Sequence, residues 1–193
     1  VHSGYTSVMI DYSQRSLDEN ITATRHVIDA AKMRGVSVEA EIGRLARNTG
    51  TEEASDDEFL AKPEEVREFL DRVGEIDMLA VAIGNAHGFY KGTPNIRVDR
   101  LRELRAVSGE TPLVLHGTTG IPEETIRACI ANGMAKANFG TKVRFAYLNA
   151  VRSALESESE HNNHMWRVFR SAMYAVKEDV RSIIGVLGSA GKV

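Results

Sequence analysis

The chain has one cysteine in 193 residues, Cys129, so no internal disulfide can form and no thiolate cluster can hold a metal. A reducing, cytoplasmic setting is the expectation. No stretch approaches the ~20 consecutive apolar residues that cross a bilayer, and the N-terminus lacks a charged-then-apolar leader pattern, so no membrane association is expected. Aromatic residues make up only 6%, and the formal net charge is -3 with acidic and basic residues interspersed. Without a basic stripe to neutralise phosphates or rings to stack on bases, nucleic acid is not an expected partner. What is present, 42% hydrophobic and 26% charged residues, suffices for one sizeable core, and a single domain over residues 1–193 is expected. The chain opens on Val1 rather than Met, which reads as a truncated start or an unusual initiator written literally.

Five short, β-rich apolar runs punctuate the sequence: TSVMI (6–10), VSVEAEI (36–42), MLAVAIG (78–84), PLVLHG (112–117) and MAKANFG (134–140). A helical pattern follows each. Ser16 and Glu19 have capping-box spacing ahead of a face formed by Ile21, Val27, Ile28 and Ala31, which stops at Gly35. Pro63 starts a second helix with Val66, Phe69, Leu70 and Val73 inward, ended by Gly74. Asp99 opens a third with Leu101, Leu104 and Val107 inward, Pro122 opens a fourth that ends near Gly133, and a fifth follows Thr141.

Such alternation predicts a parallel sheet with right-handed crossovers, because parallel neighbours need a long return path that a helix fills. The spacing of the units is close to the ~31 residues expected when about 250 residues make eight units, which favours an α/β fold that is part of a (β/α)8 TIM barrel over a doubly wound sheet. Asp11, Glu41, His87, His116 and Asn138 all fall at or just past the C-terminal end of a predicted strand, where a barrel keeps its chemistry. Beyond the fifth unit, Met165, Val168, Phe169, Ala172, Met173, Val176 and Val180 form an apolar stripe, predicting an amphipathic helix that covers the barrel or a partner subunit.

Three groups of residues carry chemistry. His87 in IGNAHGFYKG and His116 in LVLHGTTG end adjacent predicted strands, so their tips can converge, and neutral imidazole is the commonest protein ligand for a metal. Each is followed by glycine, Gly88 or Gly117, which lets backbone or ligand approach closely. Glu39 and Glu41 point to the same side of their strand, opposite Val38 and Ala40. Two carboxylates facing a barrel interior need a cation, hydrogen bonds or a partner, and a salt bridge to Lys136 or Arg44 is the structural alternative to a metal. Asp11 has the same two readings.

The glycine loops GTTGIPEE and NFGTKV offer free backbone N–H groups and hydroxyls at helix starts, a phosphate cradle; the plainer reading is a helix N-cap with Pro122 at the first helical position. His2, His26, His161 and His164 lack such a context and read as solvated or capping residues. The acidic run RNTGTEEASDDEFLAKP reads as a mobile loop, either a lid that carries a base such as Glu52 or Glu53 or simply a solvated connection.

The motifs TSVMIDYS, VSVEAEIGRL, LAVAIGNAHGFYKG, PLVLHGTTGIP and KANFGT, with the terminal VKEDVRSIIGVLGSAGKV, resemble in order and spacing those of the class II, zinc-dependent ketose-bisphosphate aldolases. The likeness is strongest to their tagatose-bisphosphate aldolase subgroup and covers essentially the whole chain. It implies that His87 and His116 bind a catalytic Zn2+, with Glu41 and Asp11 at an alternative or outer metal position. It implies that Gly88, Gly117, Thr118, Thr119, Asn138, Gly140 and Thr141 hold dihydroxyacetone phosphate. The implied reaction is cleavage of tagatose or fructose bisphosphate to dihydroxyacetone phosphate and glyceraldehyde phosphate through a metal-stabilised enediolate.

The chain departs from the family in having Tyr12 where Gly is usual, Thr118 and Thr119 where Gly-Ser or Ala-Ser is usual, and ARNTGTEE in place of a glycine-rich lid. Thr119 keeps the hydroxyl. The resemblance also implies that three N-terminal βα units, with a third zinc histidine and the aspartate that donates the proton, lie upstream of the residues present. A catalytically incomplete chain or non-catalytic assembly subunit, and a related phosphosugar aldolase, are the alternatives. A homo-oligomer, dimer or tetramer, is the expected assembly.

Overall fold

The computed structural model describes residues 3–47, 57–90, 92–157 and 164–192, the side chains of 46 and 47 excepted. The chain forms two compact units, residues Val1–Asn138 and Phe139–Val193.

In the first unit, strands β1 (Ser7–Met9), β2 (Ser37–Ile42), β4 (Met78–Val81), β6 (Leu113–Leu115) and β7 (Met134–Ala137) correspond to the five apolar runs. They alternate with helices α1 (Leu17–Lys32), α2 (Pro63–Val73), α3 (Val98–Val107) and α4 (Glu123–Ala131), while β3 (Ala46–Arg47) and β5 (Ala86–His87) form a separate parallel pair. All neighbours in the five-stranded sheet are parallel, and its order is β1-β2-β4-β6-β7. Strands laid down strictly in sequence order have no switch point, which a doubly wound sheet requires; a barrel arc has this order.

The strands read as near-continuous apolar runs because helices cover one face and the barrel interior the other. Val38, Ala40, Leu79, Val81, Leu113 and Leu115 are buried, as are Val66 and Phe69 of α2, Leu101 and Leu104 of α3, and Ile126 and Cys129 of α4. Burial pushes the Cys129 thiol up to about 11, so it is an inert packing residue. At the opposite end of the sheet from the candidate site, Asp77 accepts a 2.8 Å hydrogen bond from the amide of Val38.

Helix boundaries follow the sequence signals with two corrections. Ser16 and Glu19 form the expected capping box, and Pro63 occupies the first turn of α2. Helix α3 starts at Val98 rather than Asp99, which stands in its first turn with its carboxylate engaged by the Arg97 guanidinium at 2.7 and 3.0 Å. Pro122 is the extended residue before α4, not its first helical residue.

The second unit consists of α5 (Thr141–Ser157) and α6 (Met165–Leu187), the latter closed by Gly188 in the left-handed conformation, φ 66°. The expected stripe on α6 divides. Val168 and Ala172 are buried, whereas Met165 and Met173 are each 68% exposed and Phe169 and Val180 are exposed as well. The apolar arc is wider than its contact, and Trp166 instead lies under Arg167 and Arg170, 5.4 and 4.6 Å from its ring centroid. Among the described residues no helix is long and apolar enough to cross a membrane.

Phe69 is fully buried between α2 and the sheet. Phe69→Ala should lower the unfolding free energy by about 3–5 kcal/mol in urea titrations; a loss below about 1 kcal/mol would show that α2 does not share the core.

Candidate active site

Strand alternation puts Glu39 and Glu41 on one face of β2, and each is only 2% exposed. Two carboxylates so placed are costly unless partnered. The imidazole of His116, in the residue just after β6, lies between them: Nε2 is 2.7 Å from Glu39 Oε1 and Nδ1 is 3.3 Å from Glu41 Oε2. The ammonium of Lys136 on β7 pairs with the other Glu39 oxygen. Thus the salt bridge to Lys136 is present, but on Glu39, and it coexists with the histidine.

Lys136 reaches this position through a shift in strand pairing. Leu113 is opposite Met134, yet Val114 is opposite Lys136, so one extra residue, Ala135, is accommodated in β7. Glu41, Ala80, Val114 and Lys136 therefore stand in one continuous row across the sheet.

Electrostatics follow from this packing. Burial opposes the charged form of His116, but hydrogen bonds and charge from Glu39 and Glu41 outweigh it and push the imidazole up to about 9. Burial alone would raise Glu39; the hydrogen bonds from His116 and Lys136 overcome that and hold it below the usual carboxylate value. In the metal-free protein the cluster is thus an imidazolium and an ammonium set against two buried carboxyl groups.

Buried polar side chains fix the frame around His116. Asn85, 1% exposed, accepts from the amide of Ile83 at 2.8 Å and donates to the carbonyl of His116 at 3.0 Å. The Tyr90 hydroxyl accepts from the amide of Ala86 at 2.8 Å and donates to the carbonyl of Gly117 at 3.0 Å. Burial raises the Tyr90 phenol, which keeps it protonated for that donation. From α1, Asn20 donates to the carbonyl of Glu41 at 2.9 Å. These three residues were not candidates by sequence. Asn85 and Tyr90 do sit inside IGNAHGFYKG, and a polar side chain at a buried strand end was the available signal.

His87 belongs not to the five-stranded sheet but to β5, where it is exposed. Its ring centroid is 6.3 Å from that of His116, so the two histidines do converge as expected. The Gly117 loop is tied to the next one, since Thr118 donates to the carbonyl of Asn138 at 2.8 Å and the Asn138 amide donates to the carbonyl of Leu115 at 2.9 Å. Thr118 and Thr119 are both buried. Gly117 has φ 62°, and a Cβ there would lie 2.2 Å from the carbonyl oxygen of Ala86, so no other residue fits; Gly88, φ 94°, faces open space.

Other candidates lie elsewhere. Asp11 is exposed and accepts from the amide and hydroxyl of Ser13 at 3.1 and 2.7 Å. Gly140 and Thr141 belong to the second unit. His26 and His164 are exposed, as expected. Glu52 and Glu53, together with His2 and His161, lie outside the described residues.

The donor types suit zinc, two imidazoles with a carboxylate beside them. Two rings on one tetrahedral zinc with ~2.0–2.1 Å bonds would have centroids about 5 Å apart. The observed 6.3 Å requires a small approach, and His116 must exchange one carboxylate partner. Among the described residues, no group of three or more His, Cys, Asp or Glu side chains is arranged to hold a metal ion.

Residues 1–192 match the family model described as fructose-bisphosphate aldolase class-II. Among solved structures, the YdjI aldolase of Escherichia coli K12 shares 33% identity at a TM-score of 0.81, over 99% of this chain and 64% of that one. A proposed fructose-1,6-biphosphate aldolase from Coccidioides immitis shares 32% identity at a TM-score of 0.83, over 96% of this chain and 64% of that one. The Campylobacter jejuni fructose-bisphosphate aldolase, 22% identical with a TM-score of 0.76 over 94% of this chain and 60% of that one, is a likeness of fold alone. The five strands are therefore an arc of a TIM barrel, and the chain spans less than two thirds of the length of these relatives.

A histidine whose folded value is about 9 against 6.5 unfolded stabilises the fold fully below about pH 6.5, and this is lost as pH rises through 9. Metal-free protein should therefore show a falling urea midpoint between pH 6.5 and 9, a decline that His116→Gln removes; the same decline in the variant would assign it to another group. Gly117→Ala should cost at least about 2 kcal/mol from backbone strain and overlap with Ala86, and a wild-type melting temperature would refute the close approach.

Proposed function

The chain belongs to the class II fructose-bisphosphate aldolase family, and from this we propose that it carries the zinc-binding and phosphate-binding part of a lyase site that cleaves a ketose bisphosphate, tagatose or fructose bisphosphate, to dihydroxyacetone phosphate and glyceraldehyde phosphate. The observation that supports this reading most directly is the convergence of His87 and His116, 6.3 Å apart, beside the Gly117 loop. His87 and His116 are the residues that would hold zinc, with Glu41 at hand and Asp11 farther out. Zinc, when bound, supplies Lewis acidity toward the oxygens of the substrate ketone and neighbouring hydroxyl.

The chain's own residues do the rest. Gly117, with no Cβ, lets backbone N–H groups come close to a phosphate, Thr119 adds a hydroxyl to that loop, Thr118 ties it to Asn138, and Gly88 leaves room on the facing side. Asn138, held to β6 through Leu115, stands beside this loop. Asn85 and Tyr90 keep the two histidine loops in register. Exposed Trp166, Phe169 and Met173 support assembly as a homo-oligomer, dimer or tetramer.

A second reading rests on a different observation: the described residues supply no three-donor metal cluster. In that reading the chain keeps the fold and part of the site without turnover by itself. Release of dihydroxyacetone phosphate, followed by a coupled reductase, separates the two when measured for this chain and for the chain completed by three upstream βα units. The completed protein should cleave a ketose bisphosphate, lose activity to a chelator, regain it with Zn2+, and fall by about 10²- to 10³-fold in His116→Ala. No cleavage of any ketose phosphate by the completed, zinc-supplied protein would overturn the aldolase reading, and turnover by the 193-residue chain alone would eliminate the second.

A further inference from the structure

A metal held by His87 and His116 gives no task to Glu39 or Lys136, although burying Glu39 is among the costlier features of the sheet. Both Glu39 oxygens are committed, one to His116 Nε2 at 2.7 Å and the other to the Lys136 ammonium. A carboxylate held at both oxygens cannot rotate. The opposite side of the imidazole is held more loosely, with Nδ1 3.3 Å from Glu41 Oε2. One nitrogen is therefore anchored and the other has an exchangeable partner. Lys136 reaches Glu39 past two intervening strands, β4 and β6, and the extra residue Ala135 in β7 sets Lys136 in the row of Glu41, Ala80 and Val114, on the face that carries Glu39.

We propose that Glu39 and Lys136 form a positioning pair: Lys136 locks Glu39, Glu39 holds His116 through Nε2, and the ring thereby presents Nδ1 to a divalent cation that takes the place of Glu41. The outer carboxylate on the far nitrogen fixes the tautomer and raises the basicity of the ligating one. This role rests on the metal-site reading given above.

Co2+ added to the metal-free full chain is the probe, followed by its visible ligand-field band and by Zn2+ competition. Lys136→Met should weaken Co2+ binding by about 10- to 100-fold and alter the band, as loss of an outer partner does elsewhere. Lys136→Arg, which keeps the charge on Glu39, should restore most of the affinity and the original band. Unchanged affinity and spectrum in Lys136→Met, even with a lower melting temperature, would reduce the pair to a structural salt bridge and overturn the proposal. Should that variant not fold, Glu39→Met with Lys136→Met, which leaves no buried ion unpaired, is read in the same way, and full Co2+ affinity again overturns it. If the unaltered chain binds neither Co2+ nor Zn2+, the metal-site reading falls and the pair's role falls with it. Equal binding by all forms removes the pair's role alone.

Discussion

Burial of two carboxylates on one face of β2 is the constraint around which the rest of the first unit is arranged. Glu39 and Glu41 are adjacent on that face and nearly inaccessible to water, so the fold must bring positive charge to them. It does so from two other strands. On a flat sheet β2 and β7 would be about 14 Å apart, three strand spacings, too far for a direct ion pair. The bond between Lys136 and Glu39 therefore requires the curvature of a barrel arc, and the electrostatic demand and the architecture specify each other.

The same cluster links stability to the proposed function. With no metal present, His116 acts as the cation between the carboxylates and holds protons on both ring nitrogens. A divalent ion asks for one of those nitrogens without its proton. Under the proposed zinc reading, metal and proton would compete for one nitrogen of His116.

What the sequence reveals depends on how local the physics is. The five strands of the main sheet and the six helices among the described residues were legible, because buried parallel strands give unbroken apolar runs, and Gly35, Gly74 and Pro63 punctuate the helices. His87 and His116 were legible because imidazoles followed by glycine stand out against such runs. Pairing between strands was not. Nothing in MAKANFG marks the extra residue Ala135, and nothing in GRLARN marks β3. The tasks of Asn20, Asn85 and Tyr90 were equally hidden, since each depends on a partner carbonyl 21 to 31 residues away. Helix α6 showed its apolar stripe plainly, but a stripe does not say how much of itself will be covered.

Tyr90 gives the two histidines an unusual relation. One phenol oxygen spans the backbone before His87 and the backbone after His116, while β5, which carries His87, stands apart from the main sheet. The distance between the imidazoles is therefore gauged by this ring together with Asn85, not by strand spacing. The spacing of these two imidazoles thus rests on side-chain ties between loops, outside the ladder of the main sheet.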